Sequence, residues 1–153
     1  MAIIDAQGAV VGRLGARVAK LLLSGQQVEI INAESAVMLG SLPATKKSYL
    51  SRRSQQNKRD PDESPKWPRS PHLFLRRIIR GMLPFRSQRG RDAYHRLRVS
   101  IGAGANGKAA GQGKKQEKPQ KIIEASSEEK HRKFTLEELC VELGYRKANQ
   151  AGV

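Results

Sequence analysis

The sequence predicts an α/β fold, and three observations carry that prediction. AIID (2–5) is a short apolar run suited to a buried strand, VGRLGARVAKLLLSG (11–25) follows with helical spacing, and VEIIN (28–32) is a second buried-strand run. Strand, helix and strand at this spacing form a βαβ unit, which implies a parallel strand pair and a right-handed crossover.

The elements follow in chain order. At 100° per residue, Val11, Leu14, Val18, Leu21 and Leu22 share an arc of about 100°. Arg13, Arg17, Lys20 and Ser24 group on the opposite side. Gly15 borders the apolar stripe, where a missing side chain allows close packing on a sheet, and Gly25 is placed to end the helix. Residues 33–42 turn and continue through AVMLG as another short element. KKSYLSRRSQQNKR (46–59) is polar and basic, part helix and part loop. DPDESPKWPRSP (60–71) holds four prolines and reads as an irregular surface loop laid against a partner.

SPHLFLRRIIRGMLP (70–84) is the most informative helix. Ser70 is a good N-cap, Pro71 takes the first helical position and Pro84 stops the helix. Phe74, Leu75, Ile78, Ile79 and Met82 occupy about 140° of the wheel, while Arg76, Arg77 and Arg80 share about 100° on the other side. One face is for a core and the other for anions; Leu73 falls on the arginine face. A short helix is expected within 85–97 and a strand at LRVSIG (97–102). GAGANGKAAGQGKKQEKP (102–119) is expected to be a flexible loop. KIIEA (121–125) reads as a last strand. TLEELCVELG (135–144) reads as a short helix with a Thr135/Glu138 capping box and Gly144 as its C-terminal cap. No internal repeat is evident.

The 153 residues suit a single domain: a core over 1–101 containing a basic segment at 43–98, the loop at 102–119, and a strand/helix tail at 120–153. With 38% hydrophobic and 5% aromatic residues, the core should be modest and aliphatic. There are 29 Lys+Arg against 14 Asp+Glu, a net charge of +15, and such an excess calls for a polyanionic partner. The charge is concentrated. Residues 1–42 hold three basic and three acidic side chains, 43–98 hold 16 and four, and 99–153 hold ten and seven. Cys140 is the only cysteine, which excludes an internal disulfide and fits a reducing compartment. The N-terminus lacks a signal-peptide pattern, and no apolar run approaches the roughly 20 residues that span a bilayer. A soluble, cytoplasmic protein is expected.

Few motifs favour catalysis. GAGANGKA (102–109) matches two phosphate-binding patterns through Gly102, Gly104, Gly107 and Lys108. Ala109 stands where a P-loop needs Ser or Thr, and the residues that follow cannot supply a stable helix. His72, His95 and His131 share no ligand spacing, so no metal is expected. Cys140 lies among Leu136, Leu139 and Leu143 and reads as a core residue. Asp60, Asp62 and Glu63 read as solvated loop charges. No cofactor, small-molecule substrate or membrane partner is expected. In the basic segment, arginine outnumbers lysine 12 to four. Arginine binds phosphate bidentately, and several such contacts release counterions. Tyr49, Trp67, Phe85 and Tyr94 are placed to stack on bases, Phe85 and Tyr94 equally to join the core.

IIDAQGAVVGRLGARVAKLL, VEIINAESAV and RRIIRGMLPFRSQRGRDAYHRLRVSIG resemble the ribosomal protein L13 family of the large subunit. RGMLP (80–84) followed by RGR (89–91) and a strand is the most specific part, and KWPRSP resembles the archaeal branch. The resemblance covers residues 2–101. It implies a three-layer α/β/α fold with a mostly parallel four-stranded sheet, basic loops and a short C-terminal helix. It implies a non-catalytic constituent of the 50S subunit that binds 23S rRNA early in assembly beside neighbouring ribosomal proteins. The positions in the family's RNA-facing segments are Lys46, Lys47, Tyr49, Arg52, Arg53, Arg69, Arg76, Arg77, Arg80, Arg86, Arg89 and Arg91. Alternative readings are a nucleotide-binding α/β protein using residues 102–108, or an mRNA-binding regulator.

Overall fold

The computed structural model describes residues 1–102, 120–121 and 132–146. The elements are β1 (Ala2–Asp5), α1 (Val11–Leu23), β2 (Val28–Ile31), a 3-10 turn (Ala33–Ser35), β3 (Val37–Leu39), α2 (Leu42–Ser54), a second 3-10 turn (Pro61–Glu63), α3 (Pro71–Met82), α4 (Gln88–His95), β4 (Leu97–Val99), β5 (Gln120–Lys121), β6 (Lys133–Thr135) and α5 (Leu136–Glu142). The molecule is α/β. In the sheet, β1 pairs in parallel with β2, Ala2 opposite Val28, and β2 pairs in parallel with β4, Val28 opposite Leu97. The backbone of β5 pairs in parallel with Ile4–Asp5. The expected βαβ unit is therefore present as β1–α1–β2.

A separate antiparallel pair joins β3 to β6, with Met38 opposite Phe134. The short element expected at 36–40 is β3; its partner β6 was not anticipated. Residues 122–125 of the expected last strand and the loop at 103–119 lie outside the described residues.

Periodicity explains which faces are buried. In α1 the buried positions are Val11, Leu14, Gly15, Val18, Ala19 and Leu22, spaced three and four apart, while Arg13, Arg17 and Lys20 face outward. Leu21, at the edge of the stripe, is half-buried. The helix ends as expected: Gly25 has φ +92°, and the Gly25 and Gln26 N–H groups donate to the Leu22 and Leu21 carbonyls at 3.1 and 3.2 Å. The expectation for Gly15 needs correcting. A Cβ there would stand 2.7 Å from Met82 Sδ and 3.7 Å from Ile79 Cγ1, so the close approach is to α3 and not to the sheet.

α3 begins at Pro71 and stops before Leu83–Pro84. Ser70 occupies the N-cap, but its side chain makes no capping hydrogen bond. Phe74, Leu75 and Ile79 are fully buried, whereas Met82 stays 39% exposed with its thioether reaching towards Gly15. Leu73 is exposed, as its place on the arginine face requires. α4 is capped by Ser87 Oγ, which accepts from Gly90 N at 3.3 Å. In α5 both halves of the capping box form: Thr135 Oγ1 accepts from Glu138 N at 3.2 Å, and Glu138 Oε2 accepts from Thr135 N at 3.4 Å.

Cys140 is fully buried beside Leu136 and Leu139, and burial pushes its thiol up to about 12. The thiolate is the reactive form. The folded protein should therefore resist an aromatic disulfide reagent at pH 8 and react only after denaturant is added. Prompt labelling of the native protein would contradict this placement.

Candidate nucleic-acid interface

The basic segment is laid out on α2, α3, α4 and the loop between α2 and α3. α2 contributes no fully buried residue, and only Leu42 and Tyr49 pack, partly buried, against the core. Its other attachments are polar and aromatic. Tyr49 sits edge-on to buried Phe74, centroids 4.8 Å apart, and to Trp67 at 5.5 Å. Arg53 donates from Nη1 to the Leu143 carbonyl at 2.8 Å and from Nη2 to the Pro68 carbonyl at 3.2 Å. Lys46 pairs with Glu142 of α5.

Four arginines lie over aromatic rings. Arg52 stands 5.3 Å from the Tyr49 centroid and 5.5 Å from Trp67. Arg77 stands 4.0 Å from Trp67 and donates from Nη1 to the Lys66 carbonyl at 2.7 Å. Arg76 lies 4.6 Å from Tyr94, and Arg80 lies 5.0 Å from Phe85. Phe85 and Tyr94 meet edge-to-face at 5.5 Å. The rings thus link α2 to α3 at Trp67 and α3 to α4 at Tyr94 and Phe85. Each stack is worth about 0.5–1 kcal/mol and restrains a long side chain. Each ring that the sequence places for stacking on bases, Tyr49, Trp67, Phe85 and Tyr94, has a guanidinium beside it.

Among the described residues this charge is left largely uncompensated. No carboxylate among the described residues pairs with Arg52, Arg76, Arg77, Arg80, Arg86 or Arg91. Burial, then the neighbouring Arg80, lowers the pKa of Arg77. Burial, then Arg69, does the same to Arg53, and burial, then Arg76, lowers His72. Each of these shifts is first the cost of taking a cation out of water, to which a neighbouring arginine adds like-charge repulsion.

The remaining anticipated positions divide. Lys47, Arg69, Arg86 and Arg91 are exposed. Arg53 is turned inward to two carbonyls, and Lys46 is paired with Glu142, so both also brace the fold. Arg89 is exposed, yet its Nη2 reaches the Leu23 carbonyl at the end of α1 at 3.4 Å. Arg96, which sequence reasoning did not single out, reaches the adjacent Leu22 carbonyl at 3.4 Å. Nothing in the local sequence distinguishes an arginine that caps a distant helix from one that faces solvent.

The other candidates lead elsewhere. Gly102, the first residue of the glycine motif, donates its N–H to the Glu34 carboxylate at 2.9 and 3.1 Å. A negative group therefore holds the donor that a phosphate would need. Residues 103–109 lie outside the described residues. Among the described residues no group of three His, Cys, Asp or Glu side chains could hold a metal, and no helix is long and apolar enough to cross a membrane.

Residues 1–106 match the family model described as Ribosomal protein L13. Similar proteins include the large ribosomal subunit protein uL13 of Methanopyrus kandleri, 39% identical over 146 residues, covering 94% of this chain and 87% of that protein. That of Archaeoglobus fulgidus is 36% identical over 144 residues, covering 94% and 88%. That of Methanosarcina barkeri is 46% identical over 103 residues, covering 67% and 71%.

Proposed function

The chain belongs to the ribosomal protein L13 family, and from that premise we propose that it is a constituent of the large ribosomal subunit that binds and braces 23S rRNA. The family is one of ribosomal structural proteins and not of enzymes. The observation that carries the proposal is the set of ring-supported arginines Arg52, Arg76, Arg77 and Arg80, none paired with a carboxylate among the described residues.

The RNA-facing residues in this reading are Lys46, Lys47, Tyr49, Arg52, Arg53, Arg69, Arg76, Arg77, Arg80, Arg86, Arg89 and Arg91. The arginines neutralise phosphates that rRNA folding crowds together, and the packed helices fix their spacing. Tyr49 and Arg53 contribute mainly by holding α2 in place. Base reading is minor, since contacts to phosphate position a protein without specifying sequence. Binding early in subunit assembly, beside neighbouring ribosomal proteins and in the cytoplasm, belongs to the same proposal. So does a three-layer arrangement in which a fourth strand, represented by Gln120–Lys121, completes the sheet.

Sucrose-gradient sedimentation of a lysate at moderate salt tests it. The protein should travel with the large subunit and be shed as salt rises. Recovery at the top of the gradient even at low ionic strength would overturn the proposal.

A further inference from the structure

Trp67 is the only tryptophan of the chain, and arginines from two helices converge on it. Arg52 of α2 has its guanidinium carbon 5.5 Å from the indole centroid, and Arg77 of α3 has its own at 4.0 Å. The backbone around the ring is strapped on both sides. The Lys66 carbonyl accepts from Arg77 Nη1 at 2.7 Å, and the Pro68 carbonyl accepts from Arg53 Nη2 at 3.2 Å. Tyr49 abuts the indole at 67° and rests in turn on buried Phe74. With no residue of α2 fully buried and only Leu42 and Tyr49 partly so, this lattice helps to set α2 against α3.

We infer that Trp67 is a positioning residue that joins Arg52 and Arg77 into one bipartite seat for a nucleic-acid sugar–phosphate backbone. The inference rests on the rRNA-binding reading given above. A carboxylate would order these side chains but cancel their charge. An aromatic face orders a guanidinium while leaving its charge intact, and a guanidinium so stacked keeps N–H groups at its edge for phosphate oxygens. No carboxylate among the described residues pairs with either arginine, so the ring restrains both without neutralising them. The bound partner then meets two cations already fixed in register, and less side-chain entropy is lost on binding.

The test removes the ring and keeps every charge. Wild type, Trp67→Ala, Trp67→Tyr and the triple variant Arg76→Gln/Arg77→Gln/Arg80→Gln are titrated with deproteinised large-subunit rRNA at several salt concentrations, with circular dichroism of each. Trp67→Ala should bind roughly tenfold more weakly. Its salt slope should be shallower by about one to two although no cation is lost. Trp67→Tyr should recover most of the loss. In the wild type, indole emission should change on adding rRNA and revert as salt releases it. Wild-type affinity and slope in Trp67→Ala, alongside a weakened triple variant, would overturn the platform role and leave rRNA binding standing. No binding by the wild type would sink the functional reading itself. Should Trp67→Ala fail to fold, the emission decides: an indole signal indifferent to bound rRNA overturns the inference.

Discussion

Replacing Arg76, Arg77 and Arg80 together by glutamine should weaken rRNA binding about a hundredfold, at roughly 1 kcal/mol per lost charge-assisted contact. The salt slope should flatten by about two to three, the counterions released at three phosphates. The fold should survive. All three side chains are only partly buried, and they lie across α3 from the Phe74, Leu75 and Ile79 face that packs in the core. What the substitution removes is three ring stacks, each worth about 0.5–1 kcal/mol, and the Arg77 hydrogen bond to the Lys66 carbonyl, set against relief of the repulsion between Arg77 and its neighbour Arg80. Filter binding at several salt concentrations, beside a melting curve, checks both halves. An unchanged affinity and slope in a folded variant would remove these arginines from the interface.

Gly90→Ala should be among the most damaging single substitutions in the protein. A Cβ at Gly90 would lie 2.0 Å from the Pro84 carbonyl oxygen and 2.4 Å from its carbon. The obstacle is backbone, at the turn that carries the chain from α3 into α4. That turn is itself held by Ser87, whose N–H donates to the same Pro84 carbonyl at 3.0 Å and whose Oγ–H donates to it at 2.8 Å. Relief requires α4 to move off the turn, and forced overpacking of this kind costs about 3 kcal/mol, or roughly 10 °C in Tm for a chain of this length. Gly15→Ala is the internal comparison. Its new methyl meets the Met82 thioether at 2.7 Å, the far end of a flexible and partly exposed side chain. The better helix propensity of alanine, worth about 1 kcal/mol, offsets that contact, so its Tm should move little. Equal melting temperatures for the two variants would contradict this account of the α3–α4 turn.

The legible parts of the fold are those fixed by neighbours in sequence. The β1–α1–β2 unit follows from a helical period flanked by two apolar runs. α3 follows from Pro71, Pro84 and a wheel with one apolar and one arginine face. The capping box of α5 needs only Thr135 and Glu138. Pairings between distant segments were not legible. β6 is three residues long with only Phe134 buried, and it becomes a strand by meeting Met38, nearly a hundred positions earlier. Gly15 announced a close approach, but the approaching group, Met82, lies on another helix. The same limit applies to the interface. Clustered charge identified the segment, and the wheel of α3 placed Arg76, Arg77 and Arg80 on one face. Which arginines turn inward was hidden, because Arg53 and Arg96 owe their roles to the carbonyls of Leu143 and Leu22, far along the chain. The use of Trp67, Tyr94 and Phe85 as arginine supports was hidden for the same reason, since each stack joins residues at least five apart.

Ultraviolet crosslinking of intact large subunits, followed by mass spectrometry of the protein's peptides, measures the interface in place. Nucleotide adducts should concentrate on peptides from residues 46–91, above all those carrying Trp67 and Arg76–Arg80. Adducts confined to other segments, with residues 46–91 clean, would contradict the claim that this arginine face meets the rRNA.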